Sequence, residues 1–270
     1  MTDAPLTDTG IPAAPSRSLM QRGPDMLVWG GVIVLLLISF QPVEMGNAAK
    51  LFTNSENMRQ FGAEFLKPDF TDWKLYVSKM WLTVQIAMWG TFLAVFLAVP
   101  FGLACARNVA PAWLQQPMRL LMNLLRSVPD LVVGTLFLVA VGLGPFAGVM
   151  ALAIGTGAVL AKLFSEAVES IDRGPVEGVR ATGASRLHEI IWGILPQVAP
   201  LWTSYALYRF ESNSRSATVL GLIGAGGIGQ LLFDALNAFA YHQLSAIIIV
   251  IIVAVSLIDL LSQAMRSRLL

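Results

Sequence analysis

Residues 177–196, Glu-Gly-Val-Arg-Ala-Thr-Gly-Ala-Ser-Arg-Leu-His-Glu-Ile-Ile-Trp-Gly-Ile-Leu-Pro, make a short polar island between two long apolar stretches, and how that island folds decides the architecture. Just before it, Asp172-Arg173-Gly174-Pro175 breaks one helix, and Pro175 suits the first turn of a new short one, where its missing N–H has no intrahelical partner anyway. Gly183 ends that helix. Ser185 is placed to cap the next, which runs through Leu187, Ile190 and Ile191 into an apolar span. The spacing predicts a helix, a tight turn and a second helix lying across a membrane face. A crosswise rod of this kind transmits a push from a partner, whereas an unstructured loop absorbs it. An amphipathic interfacial connector with no partner is the plainer alternative.

Around the island the chain is built for lipid. Of its 270 residues 56% are hydrophobic and 13% charged, and its mean hydropathy is +0.67; so much apolar surface does not fit inside a soluble core. A net charge of +1 without a long basic run gives no footprint for nucleic acid, which needs clustered Lys and Arg. The lone Cys105 excludes an intrachain disulfide and a cysteine-cluster metal site, and His188 and His242 lie far apart, so no metal is expected.

A helix crossing the hydrocarbon core needs about 20 largely apolar residues, which marks six candidates: 26–41, 80–104, 117–142, 147–167, 190–210 and 243–263. Residues 1–25, rich in Pro, Ser and Thr with Arg17 and Arg22 near the end, read as a disordered cytoplasmic tail before an uncleaved anchor. A signal-peptide core with Gly46-Asn47-Ala48-Ala49 as a poor cleavage site is the alternative. Residues 42–79 read as a periplasmic loop. Arg107, Arg119, Arg126, Lys162, Arg173, Arg180, Arg186, Arg266 and Arg268 then gather on the side of the N-terminus, while the turn 142–148 carries no Lys or Arg. By the positive-inside rule both termini and the polar island face the cytoplasm.

Breakers and charges inside the spans mark a path. Pro129 follows Arg126-Ser127-Val128, and Pro196 and Pro200 lie one turn apart; each proline removes an amide donor, so these helices are expected to kink or partly unwind. Arg126, Ser127, Pro129, Arg209, Glu211, Asn213 and Arg215 form the candidate translocation pathway, because ionisable groups at membrane depth are costly unless they face a cavity or a partner. Arg209 and Arg215 suit an oxyanion, whose several acceptor oxygens match a planar guanidinium fork. Snorkelling, or pairing with Glu211, is the plainer alternative. The glycine-rich segment Gly221, Gly224, Gly226, Gly227 and Gly229 contains G-x-G-x-x-G, yet no acidic residue follows about 20 positions on and no βαβ pattern surrounds it. These glycines are expected to let helices pack closely instead. With no G-x-x-x-x-G-K-[ST] in the sequence, ATP belongs to another chain.

The island resembles the coupling loop by which permease subunits of bacterial ABC importers dock on their ATPase. Glu177, Gly183, Leu195 and Pro196 match that pattern in register; Gly178 and Val179 replace its two alanines, and Gly193 stands at an isoleucine position with Ile194 beside it. Arg126-Ser-Val-Pro-Asp130, the turn 142–148, residues 162–172 and residues 209–229 are similar to the phosphonate/phosphite-type permeases, and the resemblance runs from about residue 76 to the C-terminus. It implies an all-α membrane protein of six transmembrane helices with the type I, methionine-importer-like permease fold, a permease domain over 80–265 and a cytoplasmic coupling loop over 172–189. Glu177, Gly178, Ala181, Gly183, Ala184, Leu195 and Pro196 would then carry the ATPase contact. The implied partners are a second copy of the chain, two ABC ATPase subunits, a periplasmic solute-binding protein and membrane lipid. The chain would do no chemistry and bind no cofactor, ATP and Mg being held by the ATPase, and it would sit in the bacterial inner membrane and move phosphonate, phosphite or phosphate. A stand-alone ion-coupled transporter is the rival reading, and such folds often carry internal repeats.

Overall fold

The computed structural model of the chain describes residues 19–50 and 55–268, and every regular element among them is helical. It divides into two units, residues 1–60 and 61–270. In the first, α1 (Leu19–Ser39) begins inside the arm expected to be disordered; residues 1–18 of that arm lie outside the described residues. Its apolar part, Asp25–Ser39, rises about 22 Å at 1.5 Å per residue, short of a hydrocarbon core of about 30 Å. A 3₁₀ turn (Met45–Ala49) follows Glu44, and α2 (Ser55–Phe65) begins with an ion pair between Glu56 and Arg59 at 2.8 Å. The segment 42–79, read from the sequence as a loop, is thus partly helical. Met58, Phe61 and Phe65 share one face of α2, an amphipathic pattern too short and polar to register as a span.

The second unit contains α3 (Trp73–Cys105), α4 (Ala112–Ser127), α5 (Asp130–Val141), α6 (Pro145–Glu169), α7 (Arg173–Ala181), α8 (Arg186–Ala225), α9 (Gly227–Asn237) and α10 (Tyr241–Arg266). Helices α3, α6 and α10 are each long and apolar enough to cross a membrane, while α4 with α5 and α8 with α9 pass that test only as pairs, bent by 88° and 59°. The six expected segments are therefore three continuous helices, two broken ones and the short α1.

Two boundaries differ from the sequence reading. The expected 117–142 span is two helices, because Pro129 drives Val128 out of the helical region to φ −87°, ψ 124°. The 190–210 span runs on past Leu220 to the kink at Gly224, and neither Pro196 nor Pro200 unwinds it. The strain is absorbed upstream, where Glu189–Ile194 opens into a π-turn.

In lipid, helices gain nothing from hiding apolar surface from each other, so close approach decides packing. Ala87, Gly90, Thr91, Ala94, Ala98 and Gly102 line one buried face of α3 at helical spacing. Against it lies α6: a Cβ on Gly90 would come within 2.7 Å of Leu152 Cβ, and one on Gly102 within 2.8 Å of Phe164 Cβ. Gly90 meets Leu152 and Gly102 meets Phe164, so α3 and α6 run parallel. Helix α8 packs antiparallel to both, with Trp202 stacked on Phe164 at 4.4 Å between ring centroids. This order gathers residues 105–110 and 169–190 at one end of the unit. At the other, the Gly144 N–H donates to the Gly224 carbonyl at 3.1 Å, and the Asp69 N–H to the His242 carbonyl at 3.0 Å.

Candidate functional site

The elbow between α7 and α8 is held by side chains at every corner. Asp172 caps α7 by accepting the Gly174 N–H at 3.0 Å. At the other end Gly183, at φ +80°, donates its N–H to the Arg180 carbonyl at 3.0 Å, a left-handed stop that a side chain would strain. Arg180 then reaches Glu189 with Nε and Nη2, each 2.9 Å from a carboxylate oxygen. These bonds hold the Glu189 carboxyl below the ordinary carboxylate value. Gln197 accepts the Asp172 N–H at 3.1 Å and donates to the carbonyls of Asp172 at 3.2 Å and Gly193 at 2.6 Å. Val176 presses on Gly193, where a Cβ would meet Val176 Cα at 3.0 Å. That contact explains why glycine stands at the isoleucine position of the pattern.

Ser185 behaves differently from its sequence reading. Its hydroxyl meets His188 Nδ1 at 2.7 Å instead of a helical N–H, and its carbonyl accepts the Glu189 N–H at 3.1 Å. Glu177, Gly178, Ala181, Gly183, Leu195 and Pro196 are exposed and Ala184 is half-buried. Sequence reasoning missed how the elbow is tied to the bundle. Glu169, at the end of α6, accepts the Arg107 N–H at 2.7 Å and pairs with Arg119 of α4, while Arg186 donates to the Val109 carbonyl. A cavity of about 250 Å³ lies there, lined by both charge signs, among them Arg173, Glu177, Arg180, Arg186 and Glu189.

The expected pathway residues separate into three groups. Arg126 is exposed in the last turn of α4, the Ser127 hydroxyl closes on the Leu124 carbonyl at 2.7 Å, and Pro129 caps α5 at the 88° break. Glu211 is shared by Arg215 and by Arg266 of α10 at 3.1 Å each, and Arg215 also reaches Asp259 at 3.3 Å. Two cations and two carboxylates thus balance, which is the plainer of the two sequence readings for Arg215. The third group is a directed chain of hydrogen bonds. Arg209 Nη2 donates to Thr156 Oγ1 at 3.3 Å, Thr156 to Asn213 Oδ1 at 2.7 Å, Asn213 Nδ2 to Thr91 Oγ1 at 2.8 Å, and Thr91 to the Ala87 carbonyl at 2.7 Å. Asn213, fully buried at 0% exposure, fastens α8 to α6 and α3 and does not face an opening. Thr91 and Thr156 gave no signal in sequence, whereas Asp259, an ionisable group in an apolar span, carried one.

The glycine-rich segment is the break between α8 and α9. Gly224, Gly226 and Gly227 take φ of +104°, +80° and +75°, and the Ile228 N–H is accepted by Thr83 Oγ1 at 2.8 Å. Gly221 lets the turn fold back on itself: a Cβ there would meet the Gly226 carbonyl oxygen at 2.6 Å.

Residues 98–269 match the family model described as binding-protein-dependent transport system inner membrane component. The chain is 36% identical over 249 residues to the phosphite transport system permease protein PtxC of Stutzerimonas stutzeri, covering 92% of this chain and 89% of that one. It is 60% identical over 119 residues to the putative cryptic phosphonate transport system permease protein PhnE2 of Escherichia coli K12, covering 44% of this chain and 98% of that one. A chain of the MetNI methionine ABC transporter, solved in inward-facing conformations, shares the fold with a TM-score of 0.65 at 20% identity, covering 75% of this chain and 99% of that one. The chain therefore belongs to the binding-protein-dependent inner membrane components: it is the non-catalytic permease subunit of an ABC importer, working with a separate ATPase and a binding protein.

Proposed function

We propose that this chain is the membrane half of an importer for a phosphorus oxyanion, phosphonate or phosphite and phosphate, that it acts as a homodimer, and that each elbow, 172–189, seats one ATPase subunit. The observation that carries the reading is the braced elbow, in which Arg180–Glu189, Gln197 and the Val176–Gly193 contact fix α7 to α8. A rod braced in this way moves with its helix. The cargo class rests on the permeases named above, which carry the names of phosphite and phosphonate transport systems. Arg107, Arg119, Arg173, Arg180 and Arg186 cluster at the elbow end, which supports a cytoplasmic elbow and cytoplasmic termini in the inner membrane.

In this mechanism the binding protein delivers the anion at the face holding residues 142–145 and 224–227. ATP and Mg remain on the ATPases. Their closure draws two elbows together, and α8, unbroken through Pro196 and Pro200, carries the displacement to Arg209 and the polar layer. An inward-open cavity turns outward, and hydrolysis resets it. Nothing in the fold or the family favours the ion-coupled alternative. The test replaces Glu177 by Ala and Gly183 by Val in the full transporter. Uptake and binding-protein-stimulated ATP hydrolysis fall together while the permease still inserts; unchanged coupling, or labelling of the elbow from outside intact cells, overturns the reading.

A further inference from the structure

The edge of Arg209 that carries Nε and Nη2 is the side-on fork with which guanidinium binds two oxygens of one anion. Its Nη2 makes only the 3.3 Å bond to Thr156, and its Nε is buried without a hydrogen-bond partner. The Thr156–Asn213–Thr91 chain holds this edge in place from behind. A buried, oriented and half-bonded fork is expensive to keep unless something fills it.

Asp130, the first residue of α5 after the 88° break, lies in the same layer. It is half-buried, its carboxylate covers Gly155, the neighbour of the Thr156 that Arg209 bonds, and it lines a small cavity together with Ser216 of α8. Yet Asp130 and Arg209 form no ion pair within 4.0 Å among the described residues, although Arg215 one turn and a half further along α8 has two carboxylates. Gly155 leaves room for the carboxylate to lie aside, and any Cβ at that position would drive Asp130 away.

We propose that Asp130 is the internal counter-anion of Arg209. In the other state, with the pathway empty, the Asp130 carboxylate closes on the Nε–Nη2 fork; in the state seen here it lies over Gly155, and the fork is left for a tetrahedral oxyanion. Cargo and Asp130 exchange on one cation, and the bend between α4 and α5 supplies the movement. The exchange admits anions and rejects neutral solutes of the same size. This inference rests on the importer reading for the identity of the cargo, though the exchange itself is scored with any tetrahedral oxyanion.

The experiment uses the permease–ATPase complex in nanodiscs and measures retention of radiolabelled inorganic phosphate and sulfate without the binding protein. Asp130→Asn removes the competitor and tightens retention on the order of tenfold, equivalent to about 1.4 kcal/mol, while slowing turnover in binding-protein-driven uptake. Arg209→Gln abolishes retention. Arg209→Lys keeps the charge but loses the fork, and falls between. The Asp130→Asn/Arg209→Gln double variant, which has no unpaired buried charge, assembles normally and still retains nothing, which separates a lost site from a lost fold. Retention that is unchanged or weaker in Asp130→Asn, retention that survives in Arg209→Gln, or a wild-type complex that retains neither anion overturns the proposal. A failure of the importer reading looks different: the wild-type complex then shows no phosphorus-oxyanion uptake with its binding protein, whatever the retention assay reads.

Discussion

Arg180 and Glu189 close the elbow through two near-equal hydrogen bonds of 2.9 Å, one partner 65% exposed and the other only 13%. Because Arg180 holds the Glu189 carboxyl below its ordinary 4.5, the contribution of the pair is complete above that value and is lost as pH falls through the lowered one. At neutral pH this ion pair is therefore insensitive to pH. In Arg180→Gln the Glu189 titration, followed by isotope-edited infrared spectroscopy, moves up toward 4.5. Added salt does the same more weakly, since the cation is exposed.

Gly183→Ala is strained by its φ of +80° alone, because nothing lies within 4 Å of the added methyl. The left-handed conformation costs an L-residue about 1–2 kcal/mol, enough to misdirect α8 relative to α7. Stimulated ATP hydrolysis is expected to drop several-fold while Gly183→Asn, which tolerates that region, keeps most of it. Equal activity in both variants would mean that the turn is not what orients the rod.

Gly178→Ala should act in the opposite direction. The glycine is exposed in the middle of α7 with open space around it, so alanine strengthens the helix by roughly 0.5–1 kcal/mol. Hydrogen exchange across residues 173–181 slows, and transport is retained.

Gly102→Val and Gly90→Val push α3 and α6 apart, since even a methyl would lie 2.7–2.8 Å from the opposing Cβ. Overpacking costs about 1–3 kcal/mol, seen as a lower Tm of the purified permease in detergent.

Asn213→Leu leaves Thr156 without its acceptor and Thr91 without its donor, both in the buried layer. The loss is about 1–3 kcal/mol by the cost of orphaned buried groups, and transport fails with it because Arg209 loses its backing. Asn213→Ser, which can donate and accept once each, recovers part of both; a Leu variant as stable as wild type would show that the layer does not hold the helices.

Much of the fold could be read because lipid enforces long apolar runs: α3, α6 and α10 fall close to the marked spans. The elbow could be read because Asp172, Pro175 and Gly183 punctuate it within a dozen residues. Helix α4 could not be delimited, because its amphipathic face, with Gln115 buried and Trp113 exposed, merges into the apolar α5 and looks like one span. The polar layer was visible only in part. Asn213 and Arg209 were conspicuous as polar groups in a span, but their partners lie 53 to 122 residues away, and a lone threonine in an apolar helix looks like any other. Asp130 stands in the Arg126–Asp130 motif, yet its significance depends on Gly155, which only the folded chain brings to it.

The parallel contact of α3 with α6, made where Gly90 and Gly102 sit against the Cβ atoms of Leu152 and Phe164, leaves these two helices almost no side-chain slack along which to slide. They form a keel. Whatever alternation of access the transporter performs has to leave this pair intact and spend its compliance elsewhere, at Val128-Pro129, at the widened turn before Pro196 and at the bend ahead of α9. Drugs or crosslinks that immobilise any one of those articulations should stall the cycle, whereas a staple placed between α3 and α6 should go unnoticed by it.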